Sequence, residues 1–382
     1  MAKIILNGTI VRYPVGGLVQ WWLGWIVGLK QLGHEVFFIE KSEWENDCYD
    51  LSRRIMTSDC KYGVNYIAKL FKKYGLDNNW CFIDNANRHY GLSEQQLNKL
   101  FSTSDLYLDL EWSDWEQGSE NVPVRVFVDG EPGWFQFKLM NMINSGVELP
   151  KYDHYFTDGL NIGNADCSIP LAGLEWKKAL VPVLIDDYYD RPVNLNSKLG
   201  FTSVMNWQSH KRVEFGGKSY GQKDIEFKKF ISLPSLVDQK MELAVSGSNV
   251  PGQLLKDNKW TVKNADDITI TVESYREYIA ESRGEFCVAK NVFVETQCGW
   301  IGERAGYYMQ SGRPVICQET GFSKHIPCGE GLFAINNVTE AAAAIEEINS
   351  NYDKHSAWSR DIVREYFDAK KVLKKMLSQI GV

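Results

Sequence analysis

The stretch Trp300–Phe333, WIGERAGYYMQSGRPVICQETGFSKHIPCGEGLF, decides how this chain is read. Glu303 to Gln310 reads as a helix, and Ser311-Gly312 stops it, because glycine accepts the backbone geometry of a helix end. Pro314 opens the apolar run Val315-Ile316-Cys317, a buried strand. Thr320-Gly321-Phe322-Ser323 follows as a turn whose free backbone N–H groups are placed to hold an anion. Gly329-Glu330-Gly331 then leads into another strand, Gly331 to Ile335.

The same rhythm runs outward in both directions. At the start, Lys3 to Thr9 is a short apolar run suited to a parallel strand, followed by Val15-Gly16-Gly17 and an apolar segment of helix length from Leu18 to Leu32. Gly33 is expected to stop that helix, with His34 serving the turn, and Val36 to Glu40 is the next strand. This is a βαβ unit. Leu106–Leu110, Val124–Val128 and Asp153–Thr157 are further strands, with helices expected at Gly63–Lys73 and Glu94–Phe101. A polar break from Leu184 to Ser197 precedes a second series of strands at 201–205, 241–245, 284–288, 314–317 and 331–335. Val338–Ile348 is a strong helix, and Ala357–Ile380 a last long helical region. Two α/β halves on one linker enclose a cleft, where ligands of such folds usually bind.

Composition narrows the function. The 382 residues exceed one ordinary core, and 44% hydrophobic with 24% charged residues is a globular mixture. A net charge of −7 argues against a general nucleic-acid binder. It is unevenly spread: residues 1–190 hold 17 Lys/Arg and 26 Asp/Glu, the remainder 25 and 23. The apolar run Leu18–Leu29 is shorter than the about 20 residues a membrane span needs, and no signal-peptide layout precedes it. Eight scattered cysteines without a CxxC pair read as reduced thiols in a cytoplasmic compartment, and six lone histidines offer no zinc spacing, so no metal is expected.

On these residues the chain resembles the GT-B glycosyltransferases over nearly its whole length. In their second domain a helix carrying a Glu runs into G-x-P-V-I, a glycine turn and G-x-G-L/F, as Glu303, Arg313-Pro314-Val315-Ile316, Gly321 and Gly329–Phe333 do here. Val15-Gly16-Gly17 is similar to the family's first glycine loop, and Leu32-Gly33-His34-Glu35-Val36 to its helix-to-strand join. The strings MNW, YGQKD and AKN are similar to those of a group of bacterial GT-B-like proteins. The resemblance implies two Rossmann-like domains facing across a cleft, residues 1–188 for the acceptor and 198–360 for the donor, with 361–382 a helix crossing back to the first domain.

It also implies a nucleoside-diphosphate-sugar as co-substrate, a UDP-sugar leading, with no other cofactor, and a hydroxyl-bearing small molecule or glycan as acceptor. Glu303 would bind the ribose, and the N–H groups of Thr320, Gly321 and Phe322 the diphosphate, although Thr320 stands where the family has a second glycine. Gly16 and Gly17 would contact the donor. Glu295 and Glu303 have the E-x7-E spacing of the glycogen-synthase-like branch, which two helical turns would put on one face, although Cys298-Gly299-Trp300 interrupts a helix. Glu285 is a competing sugar contact.

Two further constellations carry chemistry. Asn206-Trp207 and the segment 208–230, with six Lys/Arg against three acids, follow the first strand of the second half. A departing diphosphate needs its growing charge neutralised, which Lys and Arg do without a metal. Lys211, Arg212 or Lys223 is assigned that role, with Lys290 beside them; the alternative is a solvated hairpin turning at Gly216-Gly217. Asp129, at the end of a parallel strand, is either a general base on the acceptor, an acceptor contact, or a turn-capping carboxylate. Trp21-Trp22-Trp25 is either core or an acceptor-stacking surface, and the acidic run Asp105–Glu120, with Trp112 and Trp115, a loop at the cleft rim. Two alternatives to the transferase acting on a small acceptor stand beside it: a phage-type DNA glycosyltransferase acting on a hydroxymethylated base, which the acidic first half disfavours, and a nucleotide-sugar-binding protein without catalysis. A GT-B-shaped epimerase is a third.

Overall fold

The computed structural model describes residues 1–112, 116–185, 200–209 and 211–382. Most of the polar break at Leu184–Ser197, together with Trp115 and His210, lies outside them.

Two parallel sheets form, and both run in the order that doubly wound folds adopt. In the first, strands Trp176–Lys178, His154–Thr157, Val124–Asp129, Leu106–Asp109, Lys3–Asn7, Glu35–Lys41 and Trp80–Ile83 lie side by side in parallel, and His89–Gly91 closes the edge antiparallel. In the second, the parallel order is Thr261–Asn264, Met241–Ser246, Phe201–Asn206, Gly284–Cys287, Val315–Gln318 and Leu332–Ile335. Each sheet reverses its winding beside its first strand, so each presents a crevice at its strand C-termini. The helices Gly16–Gln31, Trp134–Asn144, Val272–Glu281 and Glu303–Gln310 stand around those crevices.

Very close backbone approach joins the halves. Gly16 opens its helix with its N–H donating to the Thr269 carbonyl at 2.7 Å, and a Cβ there would stand 2.2 Å from the Thr271 carbonyl oxygen. The glycine pair therefore answers a domain contact. Within that helix Trp22 and Trp25 are buried core, whereas Trp21 is only half-buried. Gly33 ends the helix at φ +89°, and the His34 ring accepts the Ala2 N–H at 3.2 Å.

The last helical region is not continuous. Tyr352–Ile362 passes through a π-helical turn, Val363–Phe367, and helix Ala369–Ser378 restarts with the Asp368 carboxylate accepting the Lys370 N–H at 2.9 Å. Phe367 and Ala369 exchange backbone bonds with Val183 of 2.8 and 2.9 Å, and Leu373 lies over Gly28 of the first helix. Among the described residues no helix is long and apolar enough to cross a membrane.

Gly16→Ala should destabilise the protein by about 1–3 kcal/mol, because the methyl must push the Thr271 backbone away. Gly252→Ala, where a Cβ meets nothing within 4 Å, should be neutral or slightly stabilising. Urea denaturation of the two variants checks the difference.

Candidate functional site

A cavity of about 450 Å³ opens between the domains. Trp21, Trp112 and Trp134 supply indole walls, and Glu111, Asp129, Glu131, Asp158 and Glu303 supply carboxyls. Every lining residue but Glu303 comes from the first half. Apolar walls with a few polar groups are the usual make-up of a small-molecule site.

Acidic groups at the strand ends shape its rim. Glu40, in strand Glu35–Lys41, accepts the backbone N–H groups of Ile10, Val11 and Arg12 at 2.8, 2.6 and 2.8 Å and fixes the loop before the first helix. Asp109 accepts from Glu111 and Trp112 at 3.0 and 3.1 Å, which holds Trp112 at φ +55°. Trp112 then packs edge-on against Phe127 and Phe135 at 4.8 and 5.0 Å. Asp129 accepts from the Glu131 N–H at 2.8 Å, Gln136 Nε2 at 2.7 Å and Thr157 Oγ1 at 3.0 Å. Burial pushes its carboxyl up to about 6 against these bonds. The geometry matches the turn-capping alternative for Asp129: three donors hold it at 2% exposure.

Asp158 differs. It follows strand His154–Thr157, is 5% exposed, and its Oδ1 has no hydrogen-bond partner. Burial raises its pKa well above the ordinary value, and the Asp129, Glu131 and Glu303 charges add to the rise while Lys290 opposes it.

The second half answers with cations. Lys290 caps helix Asn291–Thr296 beyond strand Gly284–Cys287, and its Nζ reaches Glu131 Oε2 across the cleft at 2.6 Å. Lys223, at the start of helix Lys223–Glu226, is 7% exposed, and no hydrogen bond or ion pair among the described residues holds it. Burial, reinforced by Arg304 and Lys290, pulls its ammonium down to about 8. Arg304, beside Glu303, is fixed by Glu285 Oε1 at 2.6 Å and reaches Cys287 Sγ at 3.7 Å. Among the described residues no group of three His, Cys, Asp or Glu converges as metal ligands would.

The structure brings Glu303, Lys290 and Asp129 to the cleft, leaves Lys223 buried within charge reach of Lys290, and disperses the other expected residues. Glu285 is 0% exposed, lies in the sheet and holds Arg304, so it is not open to a sugar. Glu295 does not share a face with Glu303: its helix ends at Thr296, Gln297 turns left-handed at φ +51° and Gly299 at φ +84°, and Glu295 pairs with Lys218 at 2.6 Å instead. Gly16 has its N–H engaged at the domain contact, and Gly17 lies against the Tyr275 ring. Trp207 is core beside Phe227, and Asn206 lies against Gly247.

The basic segment forms the hairpin Val213–Phe215 and Lys218–Tyr220, with Gly216 and Gly217 at positive φ and Phe215 stacked on Phe137 at 4.6 Å. Lys211 and Arg212 precede it and line a separate groove of about 340 Å³ with Trp134 and Lys138. The turn Thr320-Gly321 does hold an anion, but its own: Glu319 Oε1 accepts from the Thr320 N–H at 2.9 Å and from the Gly321 N–H. Asn161 of the first half bonds the Gln297 carbonyl at 2.9 Å, and its Nδ2 would lie 3.2 Å from a Cβ on Gly321. Thr320, Gly321 and Phe322 are buried. Asp158, Glu131, Arg304 and Trp134 had no motif to mark them, although Asp158-Gly159 repeats the strand-then-Asp-Gly pattern of Asp129-Gly130.

No protein-family model and no curated protein matches the sequence. Solved structures match its shape over the whole length. Sucrose-phosphate synthase from Thermosynechococcus elongatus has a TM-score of 0.54 at 13% identity, covering 100% of this chain and 98% of that one. An alpha-glucosyltransferase in complex with UDP and a 13-mer DNA gives 0.59 at 10%, with 100% and 99% covered. The Anabaena protein HepE in complex with UDP-glucose gives 0.58 at 11%, again with 100% and 99% covered. The chain has the GT-B fold.

Lys223→Met should raise the stability at pH 7 by about 1–3 kcal/mol, since a buried ammonium with a lowered pKa opposes folding wherever it is protonated. The unfolded chain binds the proton up to about pH 10.5 and the folded chain only to about 8, so wild-type stability rises with pH in that window and the variant's advantage shrinks. Thermal melts at pH 7 and pH 9.5 measure both effects.

Proposed function

We propose that the chain is a glycosyltransferase that moves a sugar from a nucleoside-diphosphate-sugar, a UDP-sugar first among them, to a hydroxyl acceptor without a metal ion. The observation that carries this reading is the layout of charge: Lys223, Lys290 and Arg304 of the second half cluster opposite an indole- and carboxyl-lined cavity of the first. Solved structures of the same fold are in complex with UDP or UDP-glucose. Eight free cysteines, six of them buried, suit a reducing compartment such as the cytoplasm.

In the reaction the acceptor oxygen bonds to the anomeric carbon, the bond from that carbon to the phosphate oxygen breaks, and the nucleoside diphosphate leaves with the electron pair. Lys223, 7% exposed, and Lys290 supply positive charge to offset it, and fixed charge acts most strongly where burial lowers the local dielectric. Glu303, at the cleft, is the group of the second half placed to hold nucleotide hydroxyls. In the free protein Glu131 holds Lys290, so a phosphate must displace a carboxylate to reach it. A polyanionic acceptor would meet Glu111, Asp129, Glu131 and Asp158 at the cavity, which favours a neutral hydroxyl compound or glycan. DNA is the second reading, favoured by the groove of Lys138, Lys211 and Arg212 that shares Trp134 with the cavity.

Calorimetry with UDP, GDP and TDP tests the donor, and release of glucose from UDP-glucose tests turnover. Glu131→Gln should tighten the preferred nucleotide about three- to tenfold by freeing Lys290, and Lys223→Met should weaken it at least about tenfold. Affinity should fall as pH rises through about 8, where Lys223 loses its proton. If none of the three nucleotides binds and neither variant alters anything, the reading fails. DNA as acceptor would show as transfer to hydroxymethylated duplex with steep salt dependence.

A further inference from the structure

Five acidic groups stand at or just beyond C-terminal strand ends of the first sheet, and four are occupied by the fold itself. Glu40 holds three backbone N–H groups, Asp84 and Asp109 two each, and Asp129 a backbone N–H and two side chains. Asp158 is the fifth. It lines the interdomain cavity at 5% exposure, and its Oδ1 is bonded to nothing. Other buried polar atoms of the described residues also lack a partner, but of the two carboxyl oxygens among them Glu285 Oε2 lies within the second sheet, whereas Asp158 Oδ1 belongs to a residue that lines the cavity, where a ligand group can reach it.

The position of Asp158 is built from both sides. Its N–H donates to the Asp129 carbonyl at 3.2 Å, and the next residue, Gly159, donates to Thr157 Oγ1 at 3.1 Å. A Cβ on Gly159 would stand 2.8 Å from both Pro132 and Ile162, so the chain cannot shift there. Three residues on, the Asn161 N–H bonds the Cys298 carbonyl of the second half at 2.9 Å. Asp158 is thus held rigidly between the domains, within charge reach of Lys290 and Glu303.

The missing partner has a definable chemistry. Among the described residues no group of three metal-ligating side chains converges here, so the partner sought is an organic one. Trp21, Trp112 and Trp134 offer flat apolar faces around the carboxyls, an arrangement that suits a ring with C–H faces and hydroxyl edges. Lys290 reaches Glu131 at the cavity and lies within charge reach of both Asp158 and Lys223. A hydroxyl-rich ring attached directly to a phosphate fits carboxyls beside that cation.

We propose that Asp158 recognises the hydroxyls of the sugar being transferred, and so selects a neutral, hydroxylated sugar on the donor in place of Glu295, which faces the hairpin. This rests on the nucleotide-sugar reading above. Asp158 acts by hydrogen bonding to the sugar, and an acidic sugar is rejected by the carboxyls that surround it.

The test compares nucleotide with sugar nucleotide by calorimetry, using UDP, GDP and TDP, their glucose conjugates, and UDP-glucuronate. The wild type should bind the preferred glucose conjugate at least about tenfold more tightly than the bare nucleotide. Asp158→Leu should bring that ratio near one while nucleotide affinity stays within about twofold and the melting temperature does not fall. Asp158→Asn, which keeps hydrogen-bonding atoms where the carboxyl is already held toward its neutral form, should retain part of the ratio, and UDP-glucuronate should gain nothing over UDP in the wild type. An unchanged ratio in Asp158→Leu overturns the inference, as does a joint loss of melting temperature and nucleotide affinity, which would mark a structural role. If the wild type binds no nucleotide at all, the underlying reading falls and takes this one with it; if it binds nucleotide but gains nothing from the sugar, only this inference falls.

Discussion

Closing two parallel sheets on each other buries charge of both signs, and that charge must be matched across the gap. The first half brings Glu111, Asp129, Glu131 and Asp158 to the cleft, the second Glu303 and the Lys290 ammonium that reaches Glu131, with Lys223 and Arg304 buried within charge reach of one another behind it. A buried charge without a partner is costly enough to shift its own protonation. Lys290 and Glu131 solve the problem for each other, and Glu285 solves it for Arg304. Among the described residues no hydrogen bond or ion pair holds the Lys223 ammonium and none reaches Asp158 Oδ1, and both groups are displaced toward the neutral form, as burial also displaces Glu111, Asp129 and Glu285.

The same economy of carboxylates recurs around the first sheet. Loops after parallel strands leave backbone N–H groups without partners at the surface that the cleft then buries. Glu40, Asp109 and Asp129 fill those needs and shape the rim. Glu319 does the same in the second half at the Thr320-Gly321 turn. Anion-seeking backbone is satisfied by nearby carboxylates, so an anion-binding turn in a sequence need not be an open one.

The α/β rhythm was legible because buried parallel strands are short apolar runs and glycines mark the helix ends, as at Gly33 and Gly312. Lys223 and Lys290 were legible as cations close behind strands, and Glu303 through the stretch that follows it. The E-x7-E spacing misled, because the left-handed turn at Gln297 and Gly299 rotates Glu295 away toward Lys218. Lys211 and Arg212 misled because a local cluster of basic residues carries no direction, and the hairpin places them in a groove of their own. Gly16 was expected to contact the donor, but the group that approaches it is the Thr269–Thr271 backbone of the second half.

The sequence by itself determined the two sheets, their helices and the strand ends at which chemistry would gather, since periodicity and glycine placement are local properties of a chain. Only the tertiary structure decided which charged groups are satisfied. Asp129 and Asp158 stand in the same sequence context, a strand followed by Asp-Gly, yet one is held by three donors and the other has an orphaned oxygen. That difference comes from Gln136, Thr157 and the closing second domain, all brought near by folding, and no spacing along the chain encodes it.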